Sequence, residues 1–205
     1  MFFFSDKVYI DGLSIQTVMD SRKIAIIVVL AALSVGTNYL LSPFFNVKFM
    51  DFIVFVGGFC FGPLAGGLIG IFSWAIYGSL NPLGFSFPVW ISTMVGEAFF
   101  GVVGGLTAQF VLPQRLRADG NRLSISVMFG IISLLLTFVY DLFTNAVYAY
   151  AYGINIFVAI IVGFVPFGVA HLLSNAVFFS VGCLPTINAI SKIMGGGEKT
   201  VINEK

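Results

Sequence analysis

Apolar residues run along this chain in long blocks, separated by short polar or Gly/Pro-containing stretches. Residues 24–41 form one clean block behind Arg22 and Lys23. A loop carrying Pro43, Asn46 and Lys48 follows, then a short apolar run at 52–61 and a fuller one at 64–80. The uncharged loop 81–88 leads into 89–112, which ends at Pro113; the last two blocks are 123–150 and 155–190. Residues 114–122 are the one strongly polar internal linker. Most blocks approach or exceed the ~20 residues that an α-helix needs to cross a bilayer. The pattern predicts an all-α integral membrane protein. Residues 1–21 form an interfacial arm, 22–190 a six-helix membrane domain and 191–205 a cytoplasmic tail.

The run 52–61 is too short by itself, and charge decides its status. Arg115, Arg117 and Arg122 belong on the cytoplasmic side, as do Arg22 and Lys23. An even number of crossings must separate the two groups, so 52–61 is a crossing, extended by Met50 and Asp51. Two more crossings bring Lys192, Lys199 and Lys205 inside and leave Lys48 as the basic residue of the outer loops. Six helices with both termini cytoplasmic is the expectation. Residues 155–190 would make a helix of about 54 Å, against a hydrocarbon core of ~30 Å. Pro166 is expected to break it. The last crossing then covers about 167–190, with 154–165 as a turn, kinked extension or outer lid. Tyr148, Tyr150 and Tyr152 fall at the outer interface.

Within these blocks Gly58, Gly62, Gly66 and Gly70 recur every four residues, with Pro63 among them. Glycines at that spacing make a smooth helical stripe against which another backbone can lie. The segment 49–88 therefore reads as a packing hub that turns back at the cytoplasmic side near Pro63.

Composition supports the membrane reading: 59% of residues are hydrophobic and 9% charged, against about 25% charged in soluble domains. A net charge of +1 gives no case for nucleic acid. Cys60 and Cys183 stand alone in apolar segments, so neither a disulfide framework nor a metal site is expected. Asp6, Asp11 and Asp20 interrupt the first residues, and no cleaved signal peptide is predicted.

Three ionisable groups fall inside membrane blocks: Glu97, Asp141 and His171. Such groups are costly in hydrocarbon and face a cavity or a partner. Glu97 lies about 12 Å, and Asp141 about 14 Å, below the outer end of its helix. Asn145 follows Asp141, and Asn175 follows His171, at the i+4 spacing that shares a helix face. Thr144 and Tyr148 lie near the Asp141 face. Together these residues predict an outward-opening pocket, with Trp74, Tyr77, Phe85 and Trp90 as stacking surfaces; the alternative is interhelical polar glue. Asp51 reads first as a helix cap at the outer interface and second as a ligand contact. The loop 81–88, including Asn81, covers the outer side. Catalysis has little support, since neither an HExxH motif nor a nucleophilic triad is present. A membrane enzyme using Glu97, Asp141 and His171, or a small channel, remains the alternative. The glycine-rich tail 195–200 lacks the glycine before Lys199 and a preceding strand, so no ATP hydrolysis is expected of this chain.

Ala31-Ala32-Leu33-Ser34, residues 51–58 and Phe61-Gly62-Pro63-Leu64-Ala65-Gly66-Gly67-Leu68-Ile69-Gly70 carry a further signal. With Tyr140-Asp141-Leu142-Phe143-Thr144-Asn145 and Pro166-Phe167, the sequence resembles the S components of energy-coupling factor (ECF) transporters over about 24–190. The resemblance implies the substrate-binding subunit of an ECF-type ABC importer in the plasma membrane. Its substrate would be a micronutrient such as a B vitamin, a corrinoid or a precursor. Its partners would be a transmembrane coupling protein and two cytoplasmic ATPases, and no cofactor is implied. Substrate would be held near the outer face, under the segments 46–51 and 81–88, by residues among Asp51, Asn81, Phe85, Trp90, Glu97, Asp141, Asn145, Tyr148, His171 and Asn175. The nearest counterpart here of the family's Ala-x-x-x-Ala contact for the coupling protein is Ala32-x-x-x-Gly36, a departure from the motif that keeps both residues small. Two acids and little outer base argue against a strongly anionic ligand.

Overall fold

The computed structural model describes residues 21–82, 84–111 and 121–194. Most of the 1–21 arm, the linker with Arg115 and Arg117, and the tail with Lys199, Lys205 and the 195–200 glycine run lie outside the described residues. The described chain is helical: α1 (Ser21–Leu40), α2 (Met50–Phe61), α3 (Pro63–Ser79), α4 (Phe87–Leu106), α5 (Arg122–Tyr152), α6 (Ile156–Gly163) and α7 (Val169–Met194). One wider helical turn, Thr107–Val111, extends α4, and another, Phe164–Gly168, joins α6 to α7.

Local sequence sets the boundaries. Gly62, at φ 99°, makes the corner between α2 and α3 in a region that disfavours side chains, and Pro63 opens α3 at its first turn. Asn121 caps α5 by accepting from the Leu123 N–H, and Asn155 caps α6 by accepting from Phe157 and Val158. Gly153, at φ 65°, ends α5. Val165 leaves helical geometry at φ −116° and ψ 111°, just before a cis Val165–Pro166 bond. The last block is therefore broken where the proline predicts. Of the three forms expected for its first part, a turn, a kinked extension or an outer lid, it takes the kinked extension. It is a short apolar helix against α5, with Phe157, Ile161 and Val162 facing outward.

Four helical stretches are long and apolar enough to cross a membrane: Ser21–Leu40, Phe87–Phe110, Arg122–Tyr152 and Ile156–Met194. α2 and α3 are shorter. The Arg22 guanidinium reaches the Met194 sulfur at 3.7 Å, so the first and last helices share one end of the bundle, as six crossings require. At the other end, Tyr39 donates to the Leu80 carbonyl, Asn46 to the Phe167 carbonyl and Tyr152 to the Ser86 hydroxyl.

α2 is the axis of the bundle. Its residues from Met50 to Phe59 are all buried, so it has no need of an apolar stripe. α3 and α4 pack on it through glycines. A Cβ on Gly58 would run into the Gly101 carbonyl, one on Gly66 into the Gly58 Cα, and one on Gly104 into the Phe55 carbonyl. The four glycines do not make one helical stripe: Gly58 lies on α2, Gly62 at the corner, and Gly66 and Gly70 on α3. Gly58 and Gly66 meet each other and Gly101 of α4, while Gly70 meets the Glu97 backbone. Beside this contact, the Phe52, Phe55, Phe100, Phe129 and Phe179 rings pack with centroids 5.0–6.3 Å apart.

Candidate functional site

α2 has only 12 residues, about 18 Å of helix, and its first turn is already enclosed by the bundle. Asp51, its second residue, is consequently 1% exposed. This corrects the expectation of an interfacial cap: no side chain caps α2, and the Asp51 carboxylate turns inward.

There it meets the start of α7. Asp51 Oδ2 lies 2.6 Å from His171 Nε2 and accepts from Asn175 Nδ2 at 2.6 Å. The other His171 nitrogen, Nδ1, lies 3.0 Å from Asp141 Oδ1 on α5. Carboxylate oxygens only accept, so an imidazolium is the form that donates to both. Asn175 also donates to the Thr137 hydroxyl at 2.9 Å, one turn below Asp141. Glu97, fully buried on α4, accepts from Trp74 Nε1 at 3.1 Å. Four helices plus α3 thus converge on one polar layer, and Glu97 and Asp141 share a level as their helix positions predict. Tyr140 closes it, with its ring 5.8 Å from the His171 ring.

The layer is incompletely paired. Among the described residues, Asp51 Oδ1, Glu97 Oε1, Asp141 Oδ2, Asn175 Oδ1 and the Tyr140 hydroxyl are buried without a hydrogen-bond partner. Buried polar atoms are normally satisfied, so five in one layer mark a place where a further molecule can bond. Both His171 nitrogens face carboxylates, which leaves that ring no free nitrogen with which to activate a nucleophile.

The remaining predicted residues lie further out. Asn145 is one turn above Asp141, donating to its carbonyl at 2.7 Å and resting against Gly163. Trp90 donates to the Ala75 carbonyl, and its indole and that of Trp74 flank Gly78. Phe85 stacks on Trp90 at 5.8 Å and is 58% exposed. Tyr148 packs on Tyr152 and is largely exposed, and Asn81 accepts from the Gly84 N–H in the loop beside them. Tyr77 stands between Tyr39 and Trp74. Ala32 and Gly36 face outward on α1, with nothing within 4 Å of a Cβ built on Gly36.

Two features went unpredicted. Lys48 reaches inward from the loop before α2, its ammonium 5.2 Å from the Trp74 ring centroid and 5.4 Å from that of Tyr140. The family resemblance implied its segment, 46–51, but not this side chain. Ser34 and Asn38, four apart on the buried face of α1, are also without partners, as is Ser73 on α3.

A family model described as ECF transporter, substrate-specific component, matches residues 22–183. No curated protein and no solved structure matches the chain.

Proposed function

The chain belongs to the ECF transporter substrate-specific component family, and from that premise we propose that its outer polar layer captures a vitamin or related micronutrient. As a member it is a multi-pass protein of the cell membrane that binds a small molecule and works with a membrane coupling protein and ATPases. In our reading Asp51, Glu97, Asp141, His171 and Asn175 bond the substrate directly. Asn145, Trp90, Phe85, Tyr148 and Asn81 line its route from the outer face. One observation carries this assignment: five buried, unpartnered polar atoms sit in a single layer of the outer half. Interhelical glue alone would pair them, since an unmade buried hydrogen bond costs roughly 1–3 kcal/mol.

The coupling partner docks on α1 at Ala32 and Gly36, where small, outward-facing residues permit close helix approach. Two ATPases supply the energy, and the bound molecule is a B vitamin, a corrinoid or a precursor. Affinity purification from native membranes tests this. Wild type is expected to bring down a coupling protein, two ATPases and a tightly held small molecule. The Gly36→Leu variant is expected to lose the proteins and keep the small molecule. A folded wild-type protein that brings down neither would refute the proposal.

A further inference from the structure

The Lys48 ammonium stands over two buried rings, Trp74 and Tyr140, each 5% exposed. A cation at that distance is held by the ring faces. Asp51, Glu97 and His171 are within its electrostatic reach. The layer around it is rich in acceptors: three carboxyl groups and the Asn175 carbonyl each hold an unpartnered oxygen, against one unpartnered hydroxyl. Three carboxyl groups also outnumber the two basic ones, His171 and Lys48. A buried surplus of acceptors calls for donors, and the ring faces that hold the Lys48 ammonium suit a donor that is also a cation.

Lys48 belongs to a loop whose backbone is held independently of its side chain. Asn46, at φ 47°, donates to the Phe167 carbonyl, and the Phe45 ring packs on Phe167 at 4.3 Å. Lys48 itself is only half-buried. Its flexible four-carbon stem can therefore withdraw toward the surface while the loop stays in place.

We infer that the substrate carries a cationic nitrogen group, which displaces the Lys48 ammonium from the Trp74 and Tyr140 faces and bonds the free oxygens of Asp51 and Glu97. Lys48 thus acts as a built-in occupant of the cation position, setting affinity by competition. This rests on the outer layer being the substrate site. An anionic substrate would have the opposite relation to Lys48: the lysine would receive it, with three carboxyl groups opposing.

Two flat probes of the same shape and opposite charge separate these cases: benzamidinium and benzoate, titrated calorimetrically into the full-length protein in detergent. Benzamidinium is expected to bind wild type and to bind Lys48→Met about tenfold more tightly, as follows when an occupant present about nine-tenths of the time is removed. Benzoate is expected to bind neither. Benzoate binding that disappears in Lys48→Met would overturn the inference and make the lysine an anion receptor. Failure of benzamidinium to bind folded Lys48→Met, while wild type still releases a co-purified small molecule, would overturn the inference and leave the site standing. Absence of probe binding and of any co-purified molecule would remove both.

Discussion

Helices α2, α3 and α4 meet twice, by two different kinds of contact. Toward the cytoplasmic side Gly58, Gly66 and Gly101 bring the three backbones together with no room for a Cβ. One to two turns outward, the same helices present Asp51, Trp74 and Glu97, polar side chains that bond across the helices: Trp74 to Glu97, and Asp51 to His171. The inner contact depends on shape and has one solution. The outer contact depends on hydrogen bonds that the chain leaves partly unmade. A rigid glycine joint thus fixes the helix positions and supports a layer of groups that the chain by itself does not satisfy.

The comparison breaks most severely at the joint. Gly101→Leu places side-chain atoms where the Gly66 backbone lies, and a loss of more than about 4 kcal/mol is expected, enough to prevent folding. Size-exclusion profiles in detergent would show aggregate in place of a monodisperse peak. Next comes His171→Ala, which leaves Asp51 and Asp141 buried without their shared partner. Breaking a buried pair in this way costs about 3–5 kcal/mol. Adding Asp51→Asn to that variant is expected to recover part of the loss, since it removes one of the stranded charges. Thermal melts of the single and double variants measure it.

Glu97→Gln separates stability from binding. The amide still offers Trp74 an acceptor, so stability is expected to move by less than about 1 kcal/mol. Substrate affinity is expected to fall about tenfold or more, because a bond to a charged group is worth about 1.5–3 kcal/mol. Smallest of all is Gly36→Leu on the open face of α1. Its melting point is expected to match wild type within the effect of about 0.5 kcal/mol.

Much of this was legible in the sequence, and the exceptions have physical causes. Helix existence followed from apolar blocks, and the break near Pro166 from proline geometry. The levels of Glu97 and Asp141 followed from rise per residue. Asp51 was misjudged because an acid at the start of a helix reads as a cap, whereas the first turn of α2 is already buried among the other helices. Lys48 reads as a solvated loop residue until the fold shows how far a long side chain reaches inward from the loop before α2. Gly58 to Gly70 read as one stripe, which the corner at Gly62 divides between α2 and α3. That Gly101 meets both Gly58 and Gly66 is a tertiary fact with no local signal. The unpartnered atoms are invisible in sequence, since residue type alone does not reveal which lone pair a neighbour has taken.

The most direct test is the amount of small molecule released from purified, folded protein, measured by mass spectrometry for wild type and Asn175→Leu. This substitution removes the amide that bonds both Asp51 and Thr137 and carries one of the free acceptors. Near-stoichiometric ligand in wild type and under about one-tenth of that in a folded Asn175→Leu is the predicted result, a loss of roughly 1.4 kcal/mol or more in binding. Equal release from the two proteins would contradict the account.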